Sequence, residues 1–254
     1  MVNRSAIVAG RFYPKGKEEL LKELSTLVRK DVKIHDNVLA IVAPHAGYMY
    51  SGKTAGLVYS SIKIPNTVII LSPNHTGLGY PISIDPSEKW ETPLGWVEAD
   101  LEFIDKLKNE FKEAELDTRA QQKEHALEVQ LPFIKYINPA TKIVPITVAG
   151  LPFPIIQKLG KSIAKLSLEH EENTGIRPLI IASSDMTHFE SSESAKKKDT
   201  AAIDKIKELD SLGFVSMIEE QDISICGLYT ISTAIEAVLE YTKHKAKKPK
   251  VELL

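Results

Sequence analysis

Six residues of this chain have the types and spacing to do chemistry together: His45 in PHAGYMYSG, His75 in SPNHTG, His125 in KEHALEVQLPFI, Asp185 and His188 in SSDMTH, and Cys226 in SICGLYT. Neutral imidazoles with a thiolate form a soft to borderline donor set, suited to iron, zinc or copper rather than magnesium or calcium. Imidazole also exchanges protons near neutral pH, so a histidine beside such a centre can act as acid or base. Taken singly, His45 and His75 read equally well as satisfied histidines at strand ends; jointly with His188 they read as a site. His125 stands at what looks like a helix start, where it is as readily a capping or packing residue as a site group. Cys226 precedes a helix, whose amino terminus favours thiolate over thiol, and its competing reading is buried structural filler. His35, His170 and His244 lie in charged or polar surroundings and read as surface.

These residues are positioned by short β-branched runs alternating with longer amphipathic stretches, the pattern of an α/β sheet. Strands are expected at Val38–Ala43, Thr67–Leu71, Lys142–Val148 and Pro178–Ser183. Helices are expected at Lys17–Lys30, Gly52–Ile62 with Ser51 as its cap, Asp100–Glu113, Phe153–His170 despite Gly160, Ala195–Leu209 and Gly227–Tyr241. Three of the strands run directly into histidine-bearing segments: the first into His45, the second into His75, the fourth into Asp185 and His188. In open sheets of parallel strands, the loops leaving the carboxyl ends share one edge, and ligands bind in the crevice there. The histidines should therefore converge. Pro44, Gly47, Gly52, Pro73 and Gly77 nearby suit tight turns that let backbone approach a bound group.

Composition narrows the classes further. The chain has 254 residues, 43% hydrophobic and 26% charged, with a net charge of −2, which is ordinary for a soluble globular protein and gives no basic field for nucleic acid. The locally basic stretch Lys243–Lys250 reads as solvated. No apolar run approaches the roughly 18 residues that span a bilayer. The amino-terminal apolar stretch is too short for a signal peptide, and a single Cys forms no internal disulfide, so a cytoplasmic location is expected. There is no HExxH, no CxxC pair, no GxSxG, no GxGxxG and no GxxxxGK[ST], which removes the strong local zinc, hydrolase-elbow and nucleotide signatures. No repeat, linker or composition break divides the chain, and a single domain over 1–254 is expected.

The segments AGRFYP, APHAGYMYSG, SPNHTG, ETPLG, EHALEVQLPF, SSDMTH and ICG, in this order from Arg4 to about Tyr241, resemble the Memo family. The resemblance implies a fold similar to the LigB-like class III extradiol dioxygenases: α/β, three-layer α/β/α, with a central mostly parallel or mixed sheet. It implies a metal site of His45, His75 and Cys226, with iron(II) expected and copper or zinc as alternatives. It assigns His188 as the general base, Asp185 as its orienting carboxylate and His125 to the pocket wall. Archaeal and bacterial members are named AmmeMemoRadiSam system protein B, which implies AMMECR-domain and radical SAM proteins as partners, beside an unidentified small-molecule or peptide ligand. Family members continue past the position of Leu254 through a Gly- and Ser-bearing segment and a last strand. An open sheet edge is therefore expected, with every ligand position still present.

The dioxygenases hold iron with two histidines and a carboxylate; a thiolate in the carboxylate's place donates more charge, prefers softer metals and can itself be oxidised. The expected function is thus a metal-binding redox protein or oxidoreductase with a non-haem iron or copper site. A non-catalytic adaptor that keeps the pocket to bind a peptide or protein is the alternative. A thiol hydrolase using Cys226, His188 and Asp185 is a third reading.

Overall fold

The computed structural model describes residues 2–254. In chain order the strands are β1 (Asn3–Arg4), β2 (Ala40–Ala43), β3 (Thr67–Pro73), β4 (Ile82–Ile84), β5 (Lys89–Trp90), β6 (Val97–Ala99), β7 (Glu115–Leu116), β8 (Lys142–Val148) and β9 (Leu179–Ser183). The helices are α1 (Lys17–Leu27), α2 (Tyr48–Ser60), α3 (Leu101–Glu110), α4 (Leu131–Ile137), α5 (Phe153–Thr174), α6 (Ser192–Glu208), α7 (Ser211–Glu220) and α8 (Leu228–His244). One nine-stranded mixed sheet runs β1-β5-β6-β8-β3-β9-β2, with β4 antiparallel to the carboxyl half of β8 and β7 beside β4. The long central strands β8, β3, β9 and β2 are parallel. β2 is the last strand of the order, bonded to β9.

Alternation along the central strands builds two apolar layers. Ile69 and Leu71 of β3, Val144 and Ile146 of β8, and Ile180 and Ala182 of β9 pack with residues of α3, α5, α7 and α8. Val68 and Ile70, Ile143, and Leu179 and Ile181 face the other way, onto Leu20, Leu24 and Leu27 of α1, Tyr59 of α2 and Phe133 of α4. Because both faces are covered, the central strands read as nearly unbroken apolar runs. Gly160 fits inside α5 because a Cβ there would stand 2.6 Å from Cβ of Glu236, so its absence lets α5 and α8 close on each other. Among the described residues no helix is long and apolar enough to cross a membrane.

The observed elements differ from the expected ones at identifiable points. Ser51 does not cap α2: the helix starts four residues earlier than expected, at Tyr48 behind Gly47, whose carbonyl accepts from Tyr50 and Ser51 N–H, and the Ser51 hydroxyl donates back to the Ala46 carbonyl. α4 and α7 were not expected; Pro132 stands at the start of the first, and the Asp210 carboxylate caps the second at Gly213 N–H, 2.9 Å. The strands of two or three residues, β1 and β4 to β7, are too short to show a period.

The amino-terminal segment is tied down by buried charge. Arg4 pairs with Glu128 at 2.5 Å, donates to the carbonyls of Gln121 and Glu124, and lies 4.6 Å above the Trp90 ring. Glu128, fully buried, also accepts from Ile7 N–H, Val8 N–H and the Tyr13 hydroxyl. Breaking one side of such a pair strands the other charge in the interior. Arg4→Met should therefore cost about 3–5 kcal/mol in urea unfolding, and the double variant Arg4→Met, Glu128→Gln should recover part of that loss. A loss below about 1 kcal/mol for the single variant would show that the pair does not anchor the segment.

Candidate metal centre

The strand order places β9 between β2 and β3, so the β9 exit at Ser184 and Asp185 lies between those leading to His45 and His75. Parallel pairing aligns Ala43 with Ser183 and Leu71 with Ala182, and all three chains leave the sheet at the same edge. Cys226 arrives from the other direction, at the amino end of α8. A Cβ at Gly227 would overlap the Ser184 side chain, and its absence lets this end of the helix press against the β9 exit. The Cys226 sulfur consequently accepts the Asp185 backbone N–H at 3.1 Å and lies 3.2 Å from His45 Nε2.

Each imidazole is oriented by a buried polar group. The Ser183 hydroxyl donates to the Ala126 carbonyl and accepts from Gln130 Nε2, which leaves it to accept from His45 Nδ1 at 2.8 Å. His45 Nε2 is then the nitrogen that faces the cluster with a free lone pair. For His75 the orienting group is Glu124, fully buried: one oxygen lies 2.9 Å from His75 Nδ1 and the other accepts His75 N–H at 2.7 Å. The first oxygen also accepts the backbone N–H groups of His125 and Ala126. Cys226 also acts on His75, favouring its protonated form. His125 lies in the turn before Glu128–Gln130, where its carbonyl accepts from Val129 N–H as in a first helical turn, while Leu127 occupies the cap position. Its ring lies between Phe12, at 4.5 Å, and His75, at 4.9 Å. One ligand atom from each of His45, His75 and His125 lies within 4.8 Å of the others.

Asp185 and His188 close the cluster with a division of labour different from the expected one. Asp185 spends one oxygen on the backbone N–H groups of His45 and Ala46, at 2.8 and 3.2 Å. Its other oxygen stands 3.9 Å from both His45 Nε2 and His188 Nε2, beyond hydrogen-bond reach of either. The group that orients His188 is Ser224, whose carbonyl accepts from His188 Nδ1 at 3.0 Å and whose hydroxyl accepts the His188 backbone N–H at 2.7 Å. Glu124, Ser183, Gln130 and Ser224 are the site residues that sequence reasoning missed. The one signal for the first and third was a set of polar residues embedded in the otherwise apolar run EHALEVQLPFI.

The electrostatics separate the three imidazoles. Burial pushes His45 down to about 4, so it is neutral, and burial lowers His125 too. His75 moves the opposite way: its hydrogen bonds to Cys226 and Glu124 outweigh its partial burial and raise it to about 10. Burial alone would raise Glu124, but the His75 ring and the backbone N–H donors hold it down at about 2. The metal-free cluster is thus a buried carboxylate facing an imidazolium, with a neutral imidazole and a sulfur beside them. A divalent cation can replace the proton of His75 while His45 and Cys226 offer further donors. The donor set and its fixed tautomers fit a soft to borderline metal.

The chain matches the model of the Memo-like protein family over residues 4–252. It is 41% identical over 248 residues to a MEMO1 family protein of Pyrobaculum aerophilum, covering 93% of this chain and 87% of that one. It is also 43% identical to a MEMO1 family protein of Desulfurococcus amylolyticus, over 96% of this chain and 88% of that relative. A MEMO1 family protein of Aquifex aeolicus is 40% identical, over 94% and 88%.

The Glu124–His75 pair ties the stability of the metal-free protein to pH. Glu124 is depressed from 4.5 to about 2, so its contribution is full above pH 4.5 and is lost as pH falls toward 2. His75 is raised from 6.5 to about 10, so its contribution is full below pH 6.5 and is lost as pH rises toward 10. Glu124→Gln should cost about 1–3 kcal/mol near pH 5.5, should flatten the acid limb in urea unfolding, and should reduce the alkaline limb, to which Cys226 also contributes. Limbs as steep as those of the unaltered protein would show that this pair does not carry them.

Proposed function

The chain belongs to the Memo family, and from that premise and the donor set we propose that it is a metal-binding redox protein or oxidoreductase whose centre is held by His45, His75 and Cys226. The observation that carries this reading is the pairing of both Nδ1 positions, His45 with Ser183 and His75 with Glu124, which leaves both Nε2 atoms free for a ligand, that of His45 3.2 Å from the Cys226 sulfur. A carboxylate behind a ligating histidine fixes its tautomer and raises its basicity, as in carboxylate–histidine–metal arrangements. Iron(II) is the metal of this proposal, with copper and zinc as alternatives; bound there, a redox metal supplies electron transfer and Lewis acidity. The likeness to the LigB-like dioxygenases that the sequence resemblance implies supports the choice of iron.

The chain's own residues divide the remaining work. His188, half-exposed at the edge of the cluster, is held through Nδ1 by Ser224 and presents Nε2 to accept or return a substrate proton. Asp185 keeps the His45 loop folded and sets a negative charge between the two Nε2 atoms. The ring of His125, backed by Phe12, forms the wall beside His75. A cytoplasmic location, with AMMECR-domain and radical SAM proteins as partners, belongs to the same proposal.

One feature favours a second reading, a binding protein that uses the pocket without turnover. Every histidine-bearing strand exit is followed within five residues by exposed large apolar side chains: Met49 and Tyr50 after His45, Leu78 and Tyr80 after His75, and Phe189 after His188. Exposed apolar groups that follow the site residues in sequence suit capture of a peptide. That reading requires partner binding to survive metal removal.

Metal analysis of protein purified without oxygen separates the roles. Near one metal per chain is expected for the unaltered protein and for His188→Ala. His75→Ala and Cys226→Ser should each lose it, and His188→Ala should lose turnover on an active substrate. Metal retained in every variant, or absent from all, would overturn these assignments.

A further inference from the structure

Resting on the metal-centre reading, we propose that His125 is itself a ligand, so that the protein supplies three imidazoles and one thiolate, with Glu124 as the shared positioning residue of two of them. The geometry begins at a single oxygen. Glu124 Oε1 lies 2.9 Å from His75 Nδ1 and 3.3 Å from His125 Nδ1. The two rings are nearly parallel, 22° apart with centroids separated by 4.9 Å. Glu124 thus positions the His75 ring through Nδ1 and the His125 residue through its backbone N–H, which the same oxygen accepts at 2.8 Å. His45 crosses both close to a right angle, at 75° to His75 and 84° to His125. One ligand atom from each of the three lies within 4.8 Å of the others, so that with metal–nitrogen bonds of about 2.0–2.1 Å the rings need to close by only a fraction of an ångström to about two ångströms on one ion.

The His125 ring is also fixed from behind. Phe12 packs on it at 4.5 Å, and the loop carrying Phe12 is held by the Glu128 bonds to Ile7, Val8 and Tyr13. A pocket wall needs only a flat side chain at this position. An imidazole whose residue is anchored at its backbone N–H by a buried carboxylate and whose ring is packed from behind is also held in place, as a metal ligand needs.

The test uses cobalt(II) alone, bound to the unaltered protein without oxygen. Paramagnetic cobalt shifts the ring C–H protons of each ligating imidazole out of the normal proton NMR envelope, and these protons are not lost to exchange with water. Counted one per ring, three shifted signals are expected, from His45, His75 and His125. In competition titrations, His125→Gln should weaken cobalt by more than about 100-fold, beyond the roughly 10–100-fold of losing an orienting partner, which is the loss expected for Glu124→Gln. Two shifted signals, with His125→Gln within about 10-fold of the unaltered protein, would overturn the proposal. In that case a thiolate-to-cobalt absorption lost in Cys226→Ser would leave the metal-centre reading standing. No cobalt binding by the unaltered protein would overturn both.

Discussion

The arrangement turns on one buried negative charge. Glu124 has no exposed surface, and its carboxylate accepts from His75 N–H and from the backbone of His125 and Ala126, and pairs with the His75 ring. Its own carbonyl takes the Arg4 guanidinium. Three segments distant in sequence therefore meet at this residue: the amino-terminal strand, the loop after β3 and the turn before α4. A carboxylate removed from water needs a compensating positive charge and saturated oxygens. The backbone donors provide the second requirement. The first is met by the imidazolium of His75, whose place a bound cation would take on the proposed reading.

The sheet turns that local demand into a site. With β9 between β2 and β3, and all three parallel, the exits bearing His45, Asp185 and His75 lie side by side at one edge. The last donor, Cys226, comes from the end of α8, where Gly227 permits contact with Ser184 that any side chain would block. Strand order, the small residue at the helix end and buried carboxylates thus act on the same few ångströms. Their common effect is preorganisation: the imidazole tautomers are chosen before anything binds.

Much of this was legible in the residues. Lys142–Val148 matches its strand end to end, and Thr67–Leu71 extends only to Pro73, because strands covered on both faces read as continuous apolar runs. Convergence of His45, His75, Asp185 and His188 followed from parallel strands alone. What stayed hidden depends on partners far away in sequence. Nothing local distinguishes Glu124 from a solvated acid beside Lys123, or Ser183 from a strand-end serine; their roles arise when His75 and His45 arrive from 49 and 138 residues away. Asp185 looked like the natural orienter of a histidine three residues on. In the fold that carboxylate is drawn to the backbone of His45 and Ala46, and Ser224 takes the task. Ser51 had the right type for a cap but the wrong place, since Gly47 lets α2 begin earlier.

The most direct measurement is a crystal structure of the protein grown without oxygen in the presence of iron(II), with anomalous scattering recorded at the iron edge. Density bonded to the Cys226 sulfur and to Nε2 of His45 and His75, at metal–ligand distances of about 2.0–2.3 Å, is the result this arrangement requires. Iron bound elsewhere, or a cluster that stays metal-free with iron in excess, would contradict it and leave Glu124 and His75 as a buried ion pair in a pocket with another purpose.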